Sequence, residues 1–565
     1  MENRWSAKTL PNLEIVARLS QEINVPEHIA TILVQREIDT FEKAKQFFRP
    51  SLTDLHDPFL MKDMDVAYSR IKTALQNQEK MMVYGDYDVD GTTAVSIVYS
   101  YFKTLNQNIE YYIPDRYKEG YGISRIGIDF AAENNISLII ALDCGIRSNE
   151  LVDYANSKGI DFIICDHHLP GETLPKAKAI LNPKRSDCTY PYKELSGAGI
   201  GFKLIQAYSK KEGFSEEKIL DYIDLVAVSI ASDLVDMRGE NRTLAYFGLK
   251  KLNENPSIGL QSLLDGAAAK SKYSIQDIIF GIGPKINAAG RIADAKSAVR
   301  VLIEQDYSTA RQLSRILYDR NDERKEIDTD ITKDAIHIVE NTAGLLDRKS
   351  IVLKGEDWHK GVVGIVASRM VEQFYKPTII FSLNDGIYTG SARSVKNFDI
   401  HEAIQTCSQH VDQFGGHKYA AGLSVKLENF EAFAEAFEKV VAKTITESSL
   451  VPEVDYDLEL QLHEINDKMM SLIAQMAPFG PGNTVPIFKT TNVRAQNTAR
   501  VLKDKHLKLQ LSGNTRHTFD AIGFGLAEHF HTVSNGNIFN ACYCIEENNY
   551  NGRVSVQLRL RDIKP

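Results

Sequence analysis

The chain has 565 residues, of which 43% are hydrophobic and 25% charged, a globular composition long enough for three or four domains. This excludes a disordered, fibrous or disulfide-stapled protein: Cys144, Cys165, Cys188, Cys407, Cys542 and Cys544 are scattered and form no CxxC pair, which fits a reduced compartment. The net charge of −9 argues against a surface coated throughout with nucleic acid, yet leaves room for a local basic groove.

No run of 18 apolar residues occurs, and residues 1–10 lack the apolar stretch of a secretory signal, so a soluble, cytoplasmic protein without membrane contact is expected. Residues 1–79 read as a helical extension, because apolar side chains recur at three- and four-residue spacing through LEIVARL, IATILV and MDVAYSRIKTAL. Over residues 80–255 the pattern changes. Short apolar runs (MMVYG, IEYYIP, ISLIIALDCG, DFIICD, KAKAIL) alternate with amphipathic stretches such as TTAVSIVYSYFKTL, the rhythm of a parallel α/β sheet. Helical periodicity dominates from about residue 201, and residues 256–345 read as a helical connector in which the charged stretch 308–340 is one helix joining two domains. Residues 346–447 repeat an α/β pattern in KSIVLKG, VVGIVASRMVEQF and PTIIFSL, which predicts a smaller second domain. Residues 448–565 carry short alternating strands (VDYDLELQL, VPIFKTTNV, HLKLQL, IFNACYCIE, RVSVQLRLR) and predict a small all-β barrel. Within this region Lys489, Arg494, Arg500, Lys503, Lys505, Lys508 and Arg516 face only Asp504 and Asp520. Such a basic stretch is either a solvated strand face or part of a nucleic-acid path.

The chemistry collects at strand ends. MMVYG runs into Asp86-Tyr87-Asp88-Val89-Asp90-Gly91, three carboxylates in five residues, and such crowding disfavours ionisation unless a cation is present. Ligands of open α/β sheets bind outside the carboxyl ends of the strands, which is where this turn lies. The alternative is an Asp-rich turn that caps the next helix. Asp143 after ISLIIAL, the triplet Asp166-His167-His168 after DFIIC, and Asp233 after LVAVSIAS add further donors. An oxygen-rich set with imidazole suits Mn²⁺ or Mg²⁺ more than Zn²⁺. Two such ions about 3.5–4 Å apart would activate water and stabilise an in-line displacement at phosphorus. The stretch 88–93 also matches the DxDGT signature of haloacid-dehalogenase-type phosphatases, but there the strand runs directly into the nucleophile, and here Gly85-Asp86-Tyr87 intervenes. Cys144 and Cys165, beside these carboxylates, read as packing residues, as do Cys542 and Cys544.

With GDYDVDG, LDCG, CDHH and ASD in this order, the sequence resembles the DHH phosphoesterase superfamily and, within it, the RecJ family of single-strand-specific exonucleases. The likeness covers almost the whole chain and includes IPDR (113–116), EGYG (119–122), GENR (239–242) and GPKINAAGR (283–291). Farther along it takes in WHKGVVGI (358–365), GSARS (390–394), FGGH (414–417) and PFGPGN (478–483). The resemblance implies a DHH-type parallel-sheet domain, a smaller DHH-associated domain joined by a long helix, and a C-terminal OB-fold barrel. It implies that Asp88, Asp90, Asp143, His167 and Asp233 hold two Mn²⁺ or Mg²⁺ ions with Asp86 close by, that His168 faces the scissile phosphate, and that Asp166 orients an imidazole. It also implies substrate contacts from Arg116, Tyr121, Lys285, Asn287, Arg291, His359, Arg393, Gly415, Gly416 and His417. Tyr84 stands where many family members have His, and Lys285 where Arg is common, which keeps the charge but loses a bidentate grip on phosphate.

Read from the residues alone, Arg291 and Arg393 follow small residues that admit an anion close to the backbone. Gly415-Gly416-His417 offers backbone N–H groups and an imidazole at one turn. His359 and Trp358 are candidates for base stacking, with core packing the alternative for Trp358. The expected activity is 5′-to-3′ exonucleolytic release of 5′ mononucleotides from single-stranded DNA threaded between the two α/β domains. The resemblance adds recombination and repair, with single-strand-binding protein and a helicase as partners of a monomeric enzyme. The alternatives are a phosphodiesterase of cyclic dinucleotides or very short oligonucleotides, which would not need residues 452–565, and a non-catalytic nucleic-acid scaffold, which would not keep every carboxylate.

Overall fold

The computed structural model describes every residue except Met1 and residues 267–269, 271, 293, 497–498, 514–516 and 551–552. Two compact units account for the chain. One comprises Leu10–Asn321 with Asp467–Val485, the other Met1–Thr9, Asp322–Asn466 and Pro486–Pro565.

The first unit is built on five parallel strands, β1 (Met81–Gly85), β2 (Ile109–Tyr112), β3 (Leu138–Leu142), β4 (Asp161–Cys165) and β5 (Ala179–Leu181), in the order β2-β1-β3-β4-β5. Side chains alternate across a strand, and here both faces are buried. Met81 and Val83 join one hydrophobic core with Leu138, Ile140 and Leu142, whereas Met82 and Tyr84 join the opposite one with Ile139 and Ala141. Continuous apolar runs, not alternating ones, are therefore what the sequence had to supply. Helices α1 (Val89–Lys103), α2 (Gly197–Glu212) and α3 (Ile223–Ser232) supply the first core. The second is covered by Arg125–Glu133 and Asn149–Ser157 through Ile128, Ala131, Val152 and Ala155. Chain order reverses between β1 and β3, which makes the carboxyl ends of these two strands the switch point where such sheets bind ligands.

The helices expected before residue 80 are Leu13–Glu22, Glu27–Gln35, Phe41–Phe48 and Met64–Gln76. The charged stretch predicted as one helix is helical over Tyr307–Asn341, 35 residues, about 50 Å at 1.5 Å per residue. One element was not foreseen: Arg4–Ala7 forms a strand parallel to Glu453–Tyr456. Four residues are too few for a period to show.

The other unit contains a mixed sheet of Ile351–Gly355, Thr378–Asn384, Ile387–Arg393, Gln413–His417 and Ala420–Lys426. Helix Phe430–Thr444 packs Phe433 against Phe381 of this sheet, with Phe437 and Val441 in the same buried cluster. Trp358 is 9% exposed, and Ser382 Oγ donates to its carbonyl oxygen, so the core alternative holds and the ring does not present a face for stacking. Gly415-Gly416-His417 lies within the edge strand Gln413–His417, paired with Ala420–Lys426, and not at a turn. The turn falls at Lys418-Tyr419, because alternate pairing across FGGHKYAAG places the reversal after the glycines. At the C-terminus, Phe488–Ala495, Ile538–Tyr550, Arg553–Lys564, Thr518–Gly523 and His506–Ser512 pair in that order, and the last closes back on the first. Closure of five strands with one parallel pair gives a barrel of OB type.

Two motifs that the chemistry left unused explain each other. Arg242 of GENR is 4% exposed and lies over the Phe47 ring at 3.8 Å. Its guanidinium donates to the carbonyl oxygens of Phe47, Met476, Ala477 and Pro478, and Asn483 of PFGPGN donates to those of Met476 and Pro478. Removing a buried charged donor strands several acceptors at once, so Arg242→Ala is expected to destabilise this unit by about 3 kcal/mol, read as a lower urea midpoint. Arg238→Ala, which removes exposed pairs with Asp236 and Glu37, should cost less than about 1 kcal/mol.

Candidate metal centre

The end of β1 leads into the loop that carries Asp86 and Asp88 and then into the first turn of α1, which carries Asp90. Asp88 is the N-cap of α1 and accepts from the Gly91 N–H at 2.9 Å. The capping reading of this turn is thus correct for one carboxylate, without exhausting its role. Asp90, 1% exposed, is held from three sides: Gly197 N donates to Oδ2 at 2.7 Å, and Ala198 N and Ser229 Oγ donate to Oδ1 at 2.7 Å each. Gly197 and Ala198 open α2, whose N-terminal N–H groups and dipole suit an anion. Ser196 caps that helix through the Gly199 N–H. A Cβ on Gly197 would lie 2.7 Å from Asp143 Cβ, so only glycine lets the helix come this close.

Asp143 follows β3 with φ +58° and 2% exposure, and its N–H donates to the Cys165 carbonyl at 2.9 Å. Asp166, after β4, accepts from Ile146 N at 2.9 Å and from His168 N at 3.0 Å, and its Oδ1 lies 2.7 Å from His168 Nδ1. Asp166 therefore orients His168 and not its neighbour. His168 Nε2 is 3.2 Å from the Tyr121 hydroxyl. His167 Nε2 sits 3.1 Å from Asp143 Oδ1 and 3.7 Å from both Asp90 Oδ2 and Asp233 Oδ2. Asp233 ends α3 as its C-cap.

Two overlapping groups, Asp143-His167-His168 and Asp90-His167-Asp233, have donor atoms within 4.8 Å of one another, close enough to hold metal ions. Asp86 and Asp88 belong to neither group among the described residues, though Asp88 raises the carboxyls of Asp86, Asp143 and Asp233 by its charge.

The donor set fits divalent cations on electrostatic grounds. Burial and the neighbouring Asp88 lift the Asp86 carboxyl well above the carboxylate range, and burial with Asp90, Asp88 and Asp233 does the same for Asp143. Burial and Asp90 raise Asp88, and Asp233 is pushed up to about 8 by burial, Asp90 and Asp88. Burial lowers the His167 imidazole and keeps it neutral, the form that ligates. His168 is opposite: despite burial, the bond to Asp166 raises it. Asp86 Oδ2 and Asp143 Oδ1 are buried without a hydrogen-bond partner, an arrangement that a cation satisfies and apolar packing does not.

Of the residues implied for substrate, Arg116 lies over the Tyr87 ring at 4.9 Å and Tyr121 is 6.2 Å from that ring, so both flank the acidic loop. Arg291 lies in the last turn of α4 (Gly283–Ile292); its carbonyl accepts from the Tyr117 hydroxyl, and its charge acts on Tyr87. Lys285 of the same helix is buried with Nζ 4.2 Å from the Tyr318 ring centroid, and Asn287 is half-buried. His359, Arg393 and Gly415-Gly416-His417 belong to the other unit. There Arg393 Nη1 donates to Ser391 Oγ at 2.9 Å and to the Ala392 carbonyl oxygen at 2.8 Å. His417 and Arg393 both pair with Ala420, from opposite sides. His359 Nδ1 accepts from Gly361 N at 3.1 Å. Of the basic stretch, Lys489 pairs with Glu459 at 2.7 Å, while Arg494, Arg500, Lys503 and Lys505 are exposed. Arg516 lies outside the described residues. Cys144 and Cys165 are buried, and burial raises both thiols.

Three segments match family models: residues 80–230 the DHH family N-terminal domain, 347–443 the DHHA1 domain and 456–562 the RecJ OB domain. The single-stranded-DNA-specific exonuclease RecJ of Bacillus subtilis is 34% identical over 563 residues, covering 99% of this chain and 70% of that protein. The chain belongs to the RecJ family. The RecJ of Haemophilus influenzae is 32% identical over 91% of this chain and 93% of its own. The crystal structure of Thermus thermophilus RecJ with Mn²⁺ superposes with a TM-score of 0.85 at 25% identity, over all of this chain and 79% of that one. A Mg²⁺ complex of the same protein gives 0.78. Family membership replaces the phosphatase alternative for residues 88–93.

The sequence reading passed over Ser196, Gly197, Ala198 and Ser229. The signal was the run SGAGIG, small residues with a capping serine at a helix start. Gly197→Ala should force α2 away from Asp143 and Asp90. Mn²⁺ affinity measured calorimetrically is expected to fall at least about tenfold, as for loss of a ligand-supporting group.

Proposed function

We propose that this chain is a single-stranded-DNA-specific 5′-to-3′ exonuclease of recombination and repair, releasing 5′ mononucleotides with the help of two Mn²⁺ or Mg²⁺ ions. The observation that carries the reading is the convergence of Asp90, Asp143, His167 and Asp233 at the switch point, in a chain whose relatives are named single-stranded-DNA-specific exonucleases. Asp88 and Asp86 complete the acidic wall. Bound divalent cations there supply charge neutralisation of the phosphate and a more acidic water.

The protein's own groups do the rest. His168, whose imidazole the bond to Asp166 raises and which is 45% exposed, faces the phosphate, with its Nε2 and the Tyr121 hydroxyl, 3.2 Å apart, as the pair that handles the proton. Water adds to phosphorus, the P–O3′ bond breaks, and the departing O3′ takes a proton. The released nucleotide keeps its 5′ phosphate and the shortened strand carries a new one. Arg116, Arg291, Lys285 and Asn287 serve phosphates near the cut, with His359, Arg393, Gly415, Gly416 and His417 as further substrate contacts. On the barrel, Phe524 is 54% exposed with the Arg559 guanidinium 5.5 Å from its ring, a pairing that suits unpaired bases. No helix among the described residues is long and apolar enough to cross a membrane. Cytoplasmic residence, action as a monomer, and cooperation with a helicase and single-strand-binding protein complete the proposal.

Digestion of 5′- and 3′-labelled single strands, a blunt duplex and a linear dinucleotide with Mn²⁺, Mg²⁺ or chelator tests it. Immediate release of 5′-labelled mononucleotide, progressive shortening of the 3′-labelled strand, an intact duplex and silence with chelator are expected. Cleavage confined to the dinucleotide would replace the reading with a small-substrate phosphodiesterase. Asp143→Asn and His167→Ala should bind single strands yet cut them below detection; normal cutting by either would remove these residues from the site.

A further inference from the structure

One apolar side chain near the metal centre is turned outward. The turn Ile275–Asp277 continues through a π-helical segment, Ile278–Ile282, directly into α4. Ile275, Ile278, Ile282 and Ile286 of this continuous helix are buried, but Phe280 is 79% exposed. Burying a phenylalanine is worth about 1.5–3 kcal/mol, so a ring left in water by a helix that buries its neighbours forgoes that gain. The π turn is the local cause, since its extra residue per turn shifts the phase of the apolar stripe. A Cβ on the adjacent Gly281 would meet nothing within 4 Å, so the space beside the ring is open.

The helix is anchored on the loops that carry the metal ligands. A Cβ on Gly283 would lie 2.9 Å from Ser232 Oγ, next to Asp233, and one on Gly290 would lie 2.9 Å from the Tyr87 carbonyl oxygen, next to Asp88. Phe280 precedes Gly283 by three residues, about 5 Å along the axis, and the same helix carries the cationic Arg291 in its last turn. A chain of phosphates drawn to Arg291 and the metal centre would run along the helix that carries this ring, and its nucleobases would come within reach of it. In a single strand those bases have free faces; in a duplex both faces are already stacked.

We propose that Phe280 is a base-stacking platform of the substrate path, which grips an unpaired nucleobase beside the phosphate being cut. It rests on the exonuclease reading above. Stacking on one aromatic ring is worth about 1–3 kcal/mol per base. Phe280→Ala should therefore raise KM for a single strand roughly 5- to 150-fold, the same energies expressed as ratios. Phe280→Leu, apolar but without a flat face, should resemble alanine, and Phe280→Trp should restore tight binding.

The deciding measurement compares each full-length variant on two Mn²⁺-supported substrates: an ordinary single strand and one whose 5′-terminal segment lacks bases. The wild-type advantage should appear on the first and vanish on the second. Equal KM for wild type and Phe280→Ala on the ordinary strand, or an equal loss on both strands, overturns the stacking role. A wild-type chain that cuts no single strand at all would instead defeat the exonuclease reading, and this inference with it.

Discussion

Four carboxylates with nowhere to put their charge are the constraint around which the first unit is arranged. Asp86, Asp88, Asp143 and Asp233 are all held above their ordinary ionisation range, chiefly by burial and then by a neighbouring carboxylate, Asp88 for Asp86 and Asp90 for the other three. A fifth, Asp90, is accommodated by the first N–H groups of α2 and by Ser229. The helix end thus holds one negative charge in place, and that charge presses on Asp88, Asp143 and Asp233. Parallel strands with covered faces make this possible, because they bring loops from distant parts of the chain to one edge without opening the core.

The acidic half of this arrangement was legible in the sequence because each carboxylate follows an apolar run, which marks a buried element; the runs before Asp86, Asp143 and Asp166 are strands buried on both faces, whereas the run before Asp233 is the helix α3. The supporting half was not, because hydrogen bonds from Gly197 N and Ala198 N leave no trace in residue chemistry; any residue has an N–H. What the sequence did hold was the demand for glycine, created by Asp143 Cβ on the other side. Which histidine Asp166 serves was equally hidden, since adjacent imidazoles in a triplet differ only in direction. Trp358 and the Gly415-Gly416 pair show the same limit: composition marked them as special, while burial and strand register decided what they are.

GENR and PFGPGN illustrate a different case. Each was recognisable as a motif, but their meaning is mutual, an arginine from residue 242 satisfying carbonyl groups more than 230 residues on. Segment Asp467–Val485 belongs by packing to the first unit, although in chain order it adjoins the barrel strands. Patterning read along a chain places it with the barrel, and the match to the RecJ OB domain over residues 456–562 includes it; that it packs within the first unit is visible only in three dimensions.

Asp143 carries one further implication. Its φ of +58° is a conformation that costs most L-residues about 1–2 kcal/mol and that aspartate, asparagine and glycine tolerate best. Backbone and side chain thus filter this position independently: of the three residues that the turn accepts readily, only aspartate brings a negative charge. Glutamate has the same charge and a longer reach but meets this backbone cost, as Glu37 does at φ +65° elsewhere in the chain, so a change of ligand length here starts from a penalty of about 1–2 kcal/mol.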